Sequence, residues 1–123
     1  MARVTTNEIK SPEDFAPDDM RRSLPRFQGE NFQKNLDLVQ KLKEIAASKN
    51  CQPSQLALAW VLAQGKDIVP ISGNKRQSYL QENIASLEVE LTKEDLAAIN
   101  QVLPQGVVAG LRYPESVLRL SNQ

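Results

Sequence analysis

Between residues 31 and 49, NFQKNLDLVQKLKEIAASK, apolar side chains return every three or four positions. Phe32, Leu36, Val39, Leu42, Ile45 and Ala46 make one stripe, with Lys and Asp/Glu opposite. That period predicts a surface helix packed along one side. A second helix is predicted over about 53–64. It opens on Pro53, whose missing N–H has no partner in a first helical turn, and Gly65 is expected to end it. Its stretch 56-LALAWVLA-63 is apolar all round, so it calls for cover on nearly every side. Ile68, Val69 and Ile71 then mark a strand over 67–71 whose two faces are both apolar, as in a parallel sheet. Leu80, Ile84 and Leu87 share one face of a helix over 76–86. Thr92, three residues before Asp95, gives a capping-box start to a helix that runs to about Leu103, and Pro104 stops it. The tail 105–123 is mixed, with room for a short helical turn. Residues 1–30, punctuated by Pro12, Pro17 and Pro25, read as a long loop too polar for a core. Loops of that length are usually lids or disordered segments.

The predicted order is thus helix, helix, strand, helix, helix. A lone buried strand would leave its backbone N–H and C=O groups unpaired. Nothing else in the chain supplies neighbours for 67–71, so the pattern points to part of a larger fold.

Composition narrows the function classes. A chain of 123 residues is one domain at most, and 41% hydrophobic with 24% charged residues is ordinary for a globular protein. The 15 basic and 15 acidic side chains cancel, which argues against nucleic acid or an anionic membrane as partner. Cys51 has no second cysteine to pair with and is expected to be a small filler near a helix start; the expected compartment is the cytoplasm. The absence of histidine removes His-containing triads and most zinc sites. The segment MARVTTNEIK lacks a signal-like apolar core, and the eight-residue window 56–63 falls far short of the ~20 residues that span a bilayer.

One stretch carries candidate chemistry. In 67-DIVPISGNKRQSYLQEN-83 the apolar run stops at Ser72-Gly73, and Lys75 and Arg76 follow directly before a helix. A glycine lets the backbone come close to a ligand. The helix start offers unpaired N–H groups and the positive end of its dipole. Arg76 suits bidentate capture of a phosphate and Lys75 acts as a point charge. Glu82 and Asn83, on the next turns, are placed to hydrogen-bond a base or sugar. By spacing alone, a solvated helix start with two surface cations is an equal alternative.

The segment VPISGNKR followed by LQEN resembles the NADP-binding segment of the aldo-keto reductases, in the branch whose usual wording is I-P-G-T-K-R then L-x-E-N. The stretches 12-PEDFAPDDMRRSLPRFQGENFQKN-35, 53-PSQLALAWVLAQG-65, 84-IASLEVELTKEDLAAI-99 and 110-GLRYPES-116 resemble the same branch. The resemblance implies an α/β fold, the C-terminal fragment of a TIM (β/α)8 barrel. The fragment would be mostly helical, with one secure strand. Residues 67–71 would be the last strand and 76–86 the last helix, with helices within 31–64 before them. Residues 1–30 would form a loop, from residue 6 onward the one after strand seven, and the helix and tail over 92–123 would close the chain. Gly73, Asn74, Lys75 and Arg76 would surround the 2′-phosphate of NADPH, Tyr79 would lie beside the adenine, and Glu82 and Asn83 would hold the adenosine end. Arg112 and Tyr113 would help shape the substrate mouth, and Trp60 is expected in the core rather than as a substrate platform.

The chain departs from that pattern at two positions. Ser72 stands where the family usually has proline, and Asn74 where Thr or Ser is common. Ser72 loosens the turn, whereas Asn74 can still donate to a phosphate. The family's catalytic Tyr, Lys, Asp and His belong to early strands that these residues do not match, and Tyr79 and Tyr113 do not correspond to that tyrosine. The resemblance therefore implies the C-terminal part of an NADPH-dependent reductase of small carbonyl compounds, beginning at an internal methionine or a replaced first exon. This part would hold the cofactor but lack the catalytic tetrad. A non-catalytic fragment that associates with a full-length relative through exposed barrel surfaces is the alternative, and an unstable gene fragment a third.

Overall fold

The computed structural model describes residues 9–121. Among these residues five α-helices follow one another: α1 Gly29–Ser48, α2 Pro53–Leu62, α3 Gln77–Ala85, α4 Lys93–Val102 and α5 Glu115–Ser121. Short 3-10 turns stand at Pro12–Asp14, Met20–Ser23, Pro25–Phe27 and Ser86–Glu88.

The apolar stripe of α1 serves two clusters. At its start Phe32 is buried with Ile9 and Phe15, and Phe27 and Leu36 pack against them. The Phe15 and Phe27 rings meet edge-on, 5.4 Å between centroids. At its other end Ala46 is buried with Leu56 of α2 and Ile99 of α4, flanked by Leu42, Ile45, Cys51, Trp60 and Leu91. Residues 1–30 were expected to be too polar for a core, and the structure corrects this where it describes them. Ile9 and Phe15 are among the buried apolar residues. They are too widely spaced to register as a helical or strand period, yet the 3-10 turns fold them back onto α1.

Chain ends of the helices are secured by local chemistry. Asn50 takes the left-handed conformation (φ 52°) just past α1. The Asn50 N–H donates to the Ala47 carbonyl at 3.1 Å and the Cys51 N–H to the Ala46 carbonyl at 3.0 Å, the two bonds of a Schellman close. Thr92 caps α4: its hydroxyl accepts from the Asp95 N–H at 3.2 Å, and the Asp95 carboxylate accepts from the Thr92 N–H at 2.8 Å. Gly65 does not end α2 as expected. The helix stops at Leu62, and its cap, Ala63, keeps right-handed values (φ −72°, ψ −9°).

The strand expected at 67–71 is the main correction. Among the described residues no β-strand forms, and 68–71 run without regular structure. The cause is the one that made the strand suspect: a ladder needs a neighbour, and none of the described segments lies alongside as one. Its side chains are left in solvent, with Val69 82% and Ile71 99% exposed. Helix α2 is likewise only partly covered. Leu56 and Ala59 are buried, whereas Ala57 is exposed and Leu58, Val61 and Leu62 are half-buried.

Candidate functional site

Residues 72–83 run from the end of the exposed apolar segment into α3. Arg76 is the N-cap of that helix, with extended backbone (φ −128°, ψ 148°), and its carbonyl accepts from the N–H groups of Tyr79 and Leu80. The first N–H groups of α3, from Gln77 and Ser78, have no intrahelical acceptor and point out of the helix start. Arg76 has no side-chain capping bond there. Instead its guanidinium lies over the Tyr79 ring, 5.7 Å from the centroid, a cation–π arrangement. Lys75 is exposed and has no ion-pair partner among the described residues. Two cations thus stand next to a helix start with no ion-pair partner among the described residues.

Gly73 adds to the opening. Its backbone is not left-handed, and a side chain built on it would meet nothing within 4 Å. Neither turn geometry nor packing within the chain requires a glycine here, so the space beside it is open to a ligand.

The polar residues are already organised. The Asn83 amide donates to the Asn74 side-chain oxygen at 2.6 Å, and the Asn74 amide donates to the Ser72 carbonyl at 3.2 Å. This pair ties the loop to the first turns of α3. The Glu82 carboxylate accepts a hydrogen bond from the Ser54 hydroxyl at the start of α2 through one of its two oxygens. The structure therefore brings Asn74, Asn83 and Ser72 into contact, stacks Arg76 on Tyr79 and ties Glu82 to α2. Ser54 was not among the residues expected from sequence, because nothing local to a helix start forecasts a partner 28 positions away.

Elsewhere the expectations separate. Trp60 is half-buried against the second cluster, and its indole N–H points to the Asn100 side-chain oxygen at 3.4 Å. Arg112 stacks over Tyr113 at 5.7 Å, in the tail rather than at the 72–83 loop. Cys51 is half-buried, and burial raises its thiol pKa against the opposing charge of Lys49. That favours an inert thiol over a nucleophile. Among the described residues no group of three His, Cys, Asp or Glu side chains could hold a metal. No described helix is long and apolar enough to cross a membrane.

A sequence profile of the aldo/keto reductase family matches residues 3–104. The chain belongs to the aldo/keto reductase family. It is 50% identical over 109 residues to "Aldo-keto reductase yakc [NADP(+)]" of Schizosaccharomyces pombe, covering 89% of this chain and 32% of that protein. "Aldo-keto reductase str7" of Strobilurus tenacellus is 42% identical over the same length, with the same shares covered. "Probable aldo-keto reductase 1" of Glycine max is 45% identical over 92 residues, 75% of this chain and 27% of its own. The chain therefore spans about a third of the length of the curated relatives it matches.

Proposed function

We propose that this chain is the cofactor-gripping C-terminal part of an NADPH-dependent aldo/keto reductase, with residues 67–71 forming the last strand of a (β/α)8 barrel once its neighbours are present. The observation that carries the reading is the loop at 73–76. Open space at Gly73, the helix start at Gln77 and Ser78, and Lys75 and Arg76, which have no ion pair among the described residues, follow one another within six residues. Those residues fit a phosphate. Gly73 lets it approach, the helix start donates to it, and the two cations oppose its charge. The 2′-phosphate of NADPH is the group in question, and a relative's name carrying NADP(+) supports the choice. Tyr79 offers a flat face beside Arg76, and Asn83 and Glu82 offer an amide and a carboxylate to the adenosine end.

Bound NADPH supplies a hydride for reduction of a small carbonyl compound. This chain's residues orient the cofactor's far end. They do not carry the proton step, for the chain has no histidine and neither tyrosine sits beside a lysine–aspartate pair in the described contacts. A second reading is favoured by the exposure of Ile71 and Val69: a non-catalytic chain that associates with a full-length relative through that surface.

The test is a fluorescence titration of the purified chain with NADPH and NADH in parallel, with circular dichroism to report folding. Saturable binding that prefers NADPH is expected. A folded chain that binds neither, or both equally, would overturn the assignment of the 2′-phosphate to Lys75 and Arg76.

A further inference from the structure

Two consecutive residues at the start of α2 grip one residue of α3. The Ser54 hydroxyl donates to the Glu82 carboxylate through Oε1. The Gln55 side-chain amide donates to the Glu82 backbone carbonyl at 3.1 Å. The other end of the Gln55 amide, its oxygen, accepts from the Gln52 N–H at 2.8 Å. Gln55 therefore caps its own helix and fastens it to α3 with one side chain. These contacts cross 27 and 28 positions of sequence, so they are tertiary bonds rather than local turn chemistry.

The geometry at Glu82 is specific. Its carbonyl and its carboxylate are held by neighbouring donors, which fixes both the backbone and the side-chain direction. A carboxylate accepts about four hydrogen bonds. Ser54 occupies one site on Oε1 and leaves Oε2 available. The next residue, Asn83, is held by Asn74. Helix α3 is thus tied to α2 at Glu82 and to the 72–76 loop at Asn83.

We infer that Ser54 is a positioning residue for cofactor recognition, acting through Glu82: its hydroxyl sets the rotamer in which the free carboxylate oxygen meets the adenosine end. The inference rests on the NADPH reading above. Removing the hydroxyl releases the Glu82 side chain to solvent, and the rotamer must then be ordered at the moment of binding.

NADPH titrations of the full 123-residue chain test this, comparing wild type with Ser54→Ala, Ser54→Thr, Glu82→Ala and the Ser54→Ala/Glu82→Ala double variant, with the thermal midpoint of each recorded. Ser54→Ala is expected to weaken NADPH binding about three- to ten-fold, the range of one net hydrogen bond. Ser54→Thr should restore it. On the Glu82→Ala background, where no side-chain acceptor is left, the Ser54→Ala change should cost nothing further, the non-additivity that marks residues acting as one unit. Unchanged affinity in Ser54→Ala, or full additivity in the double variant, overturns the role of Ser54 while leaving the cofactor reading intact. Loss of helical signal in Ser54→Ala overturns it as well, since the contact would then serve folding. Absence of saturable binding by the folded wild type is a separate result that removes the cofactor reading and the inference together.

Discussion

Asn35, in the first half of α1, holds Ala109 by both sides of its side-chain amide. Its nitrogen donates to the Ala109 carbonyl at 3.0 Å and its oxygen accepts from the Ala109 N–H at 2.9 Å. The same nitrogen donates to the Arg26 carbonyl at 3.1 Å, and the Arg26 guanidinium reaches the Gly110 carbonyl at 3.3 Å. One asparagine thereby joins the chain before α1, the helix itself and the tail beyond α4. Replacement by alanine removes one partner from several backbone groups at once, which is the costly way to lose a hydrogen bond. Asn35→Ala should destabilise the chain by about 1–3 kcal/mol in urea unfolding, and it should raise amide exchange at 107–112 ahead of the rest.

Gly110 makes the same joint intolerant of side chains. Its φ is +83°, and a Cβ would stand 2.9 Å from the Pro25 carbonyl oxygen, which is backbone and cannot swing aside. Gly110→Ala should lower the thermal midpoint more than Gly106→Ala. Gly106 shares the φ of +83°, but its Cβ would meet nothing within 4 Å.

The opposite result is expected at Gly73. Open space and an unstrained backbone mean that Gly73→Val leaves the thermal midpoint unchanged, within about 0.5 kcal/mol. NADPH affinity should nevertheless fall, because the added side chain occupies the approach to the phosphate. An affinity equal to wild type would count against the loop as the site.

Acid sensitivity should localise to α4. Lys49 and Asp95 meet at 2.7 Å across the α1–α4 contact. That bond, followed by the Thr92 N–H, holds the Asp95 carboxyl below its ordinary pKa. A pKa depressed in the folded chain adds stability above the ordinary carboxylate range, and this is lost as pH falls through the depressed value. Asp95→Asn should therefore be less stable than wild type at neutral pH, and the gap should close on acidification. Asp14, whose carboxylate accepts from the N–H groups of Lys10 and Ser11, is lowered in the same direction and keeps some acid dependence in that variant.

The helices were largely legible in the sequence and the tertiary joints were not. The stripe from Phe32 to Ala46 announced α1, and Thr92 with Asp95 announced the start of α4, because period and capping are written in adjacent residues. Asn35 carried no such mark. It is a polar residue within the apolar stripe, three positions after Phe32 and four before Val39, and its partners sit 9 and 74 positions away. Ile9 and Phe15 were missed for the related reason that isolated apolar residues on either side of a 3-10 turn have no period to detect. The segment 67–71 failed in the other direction: its composition read as a strand, but strand structure belongs to a pair and not to a sequence, and none forms among the described residues. At the site, the residue types at 73–83 could be named in advance. The Ser54–Glu82 contact could not, since it depends on how α2 meets α3.

The bare segment from Ile68 to Ile71 also bears on how long such a chain lasts. An apolar stretch without regular structure is the form of polypeptide that chaperones hold and proteases enter, and with Val69 and Ile71 in solvent it is displayed here by the folded chain and not only by its unfolded fraction. Cellular abundance would then be governed by whether that stretch finds a neighbour before it is recognised for disposal, so steady-state level becomes a measure of assembly as much as of folding.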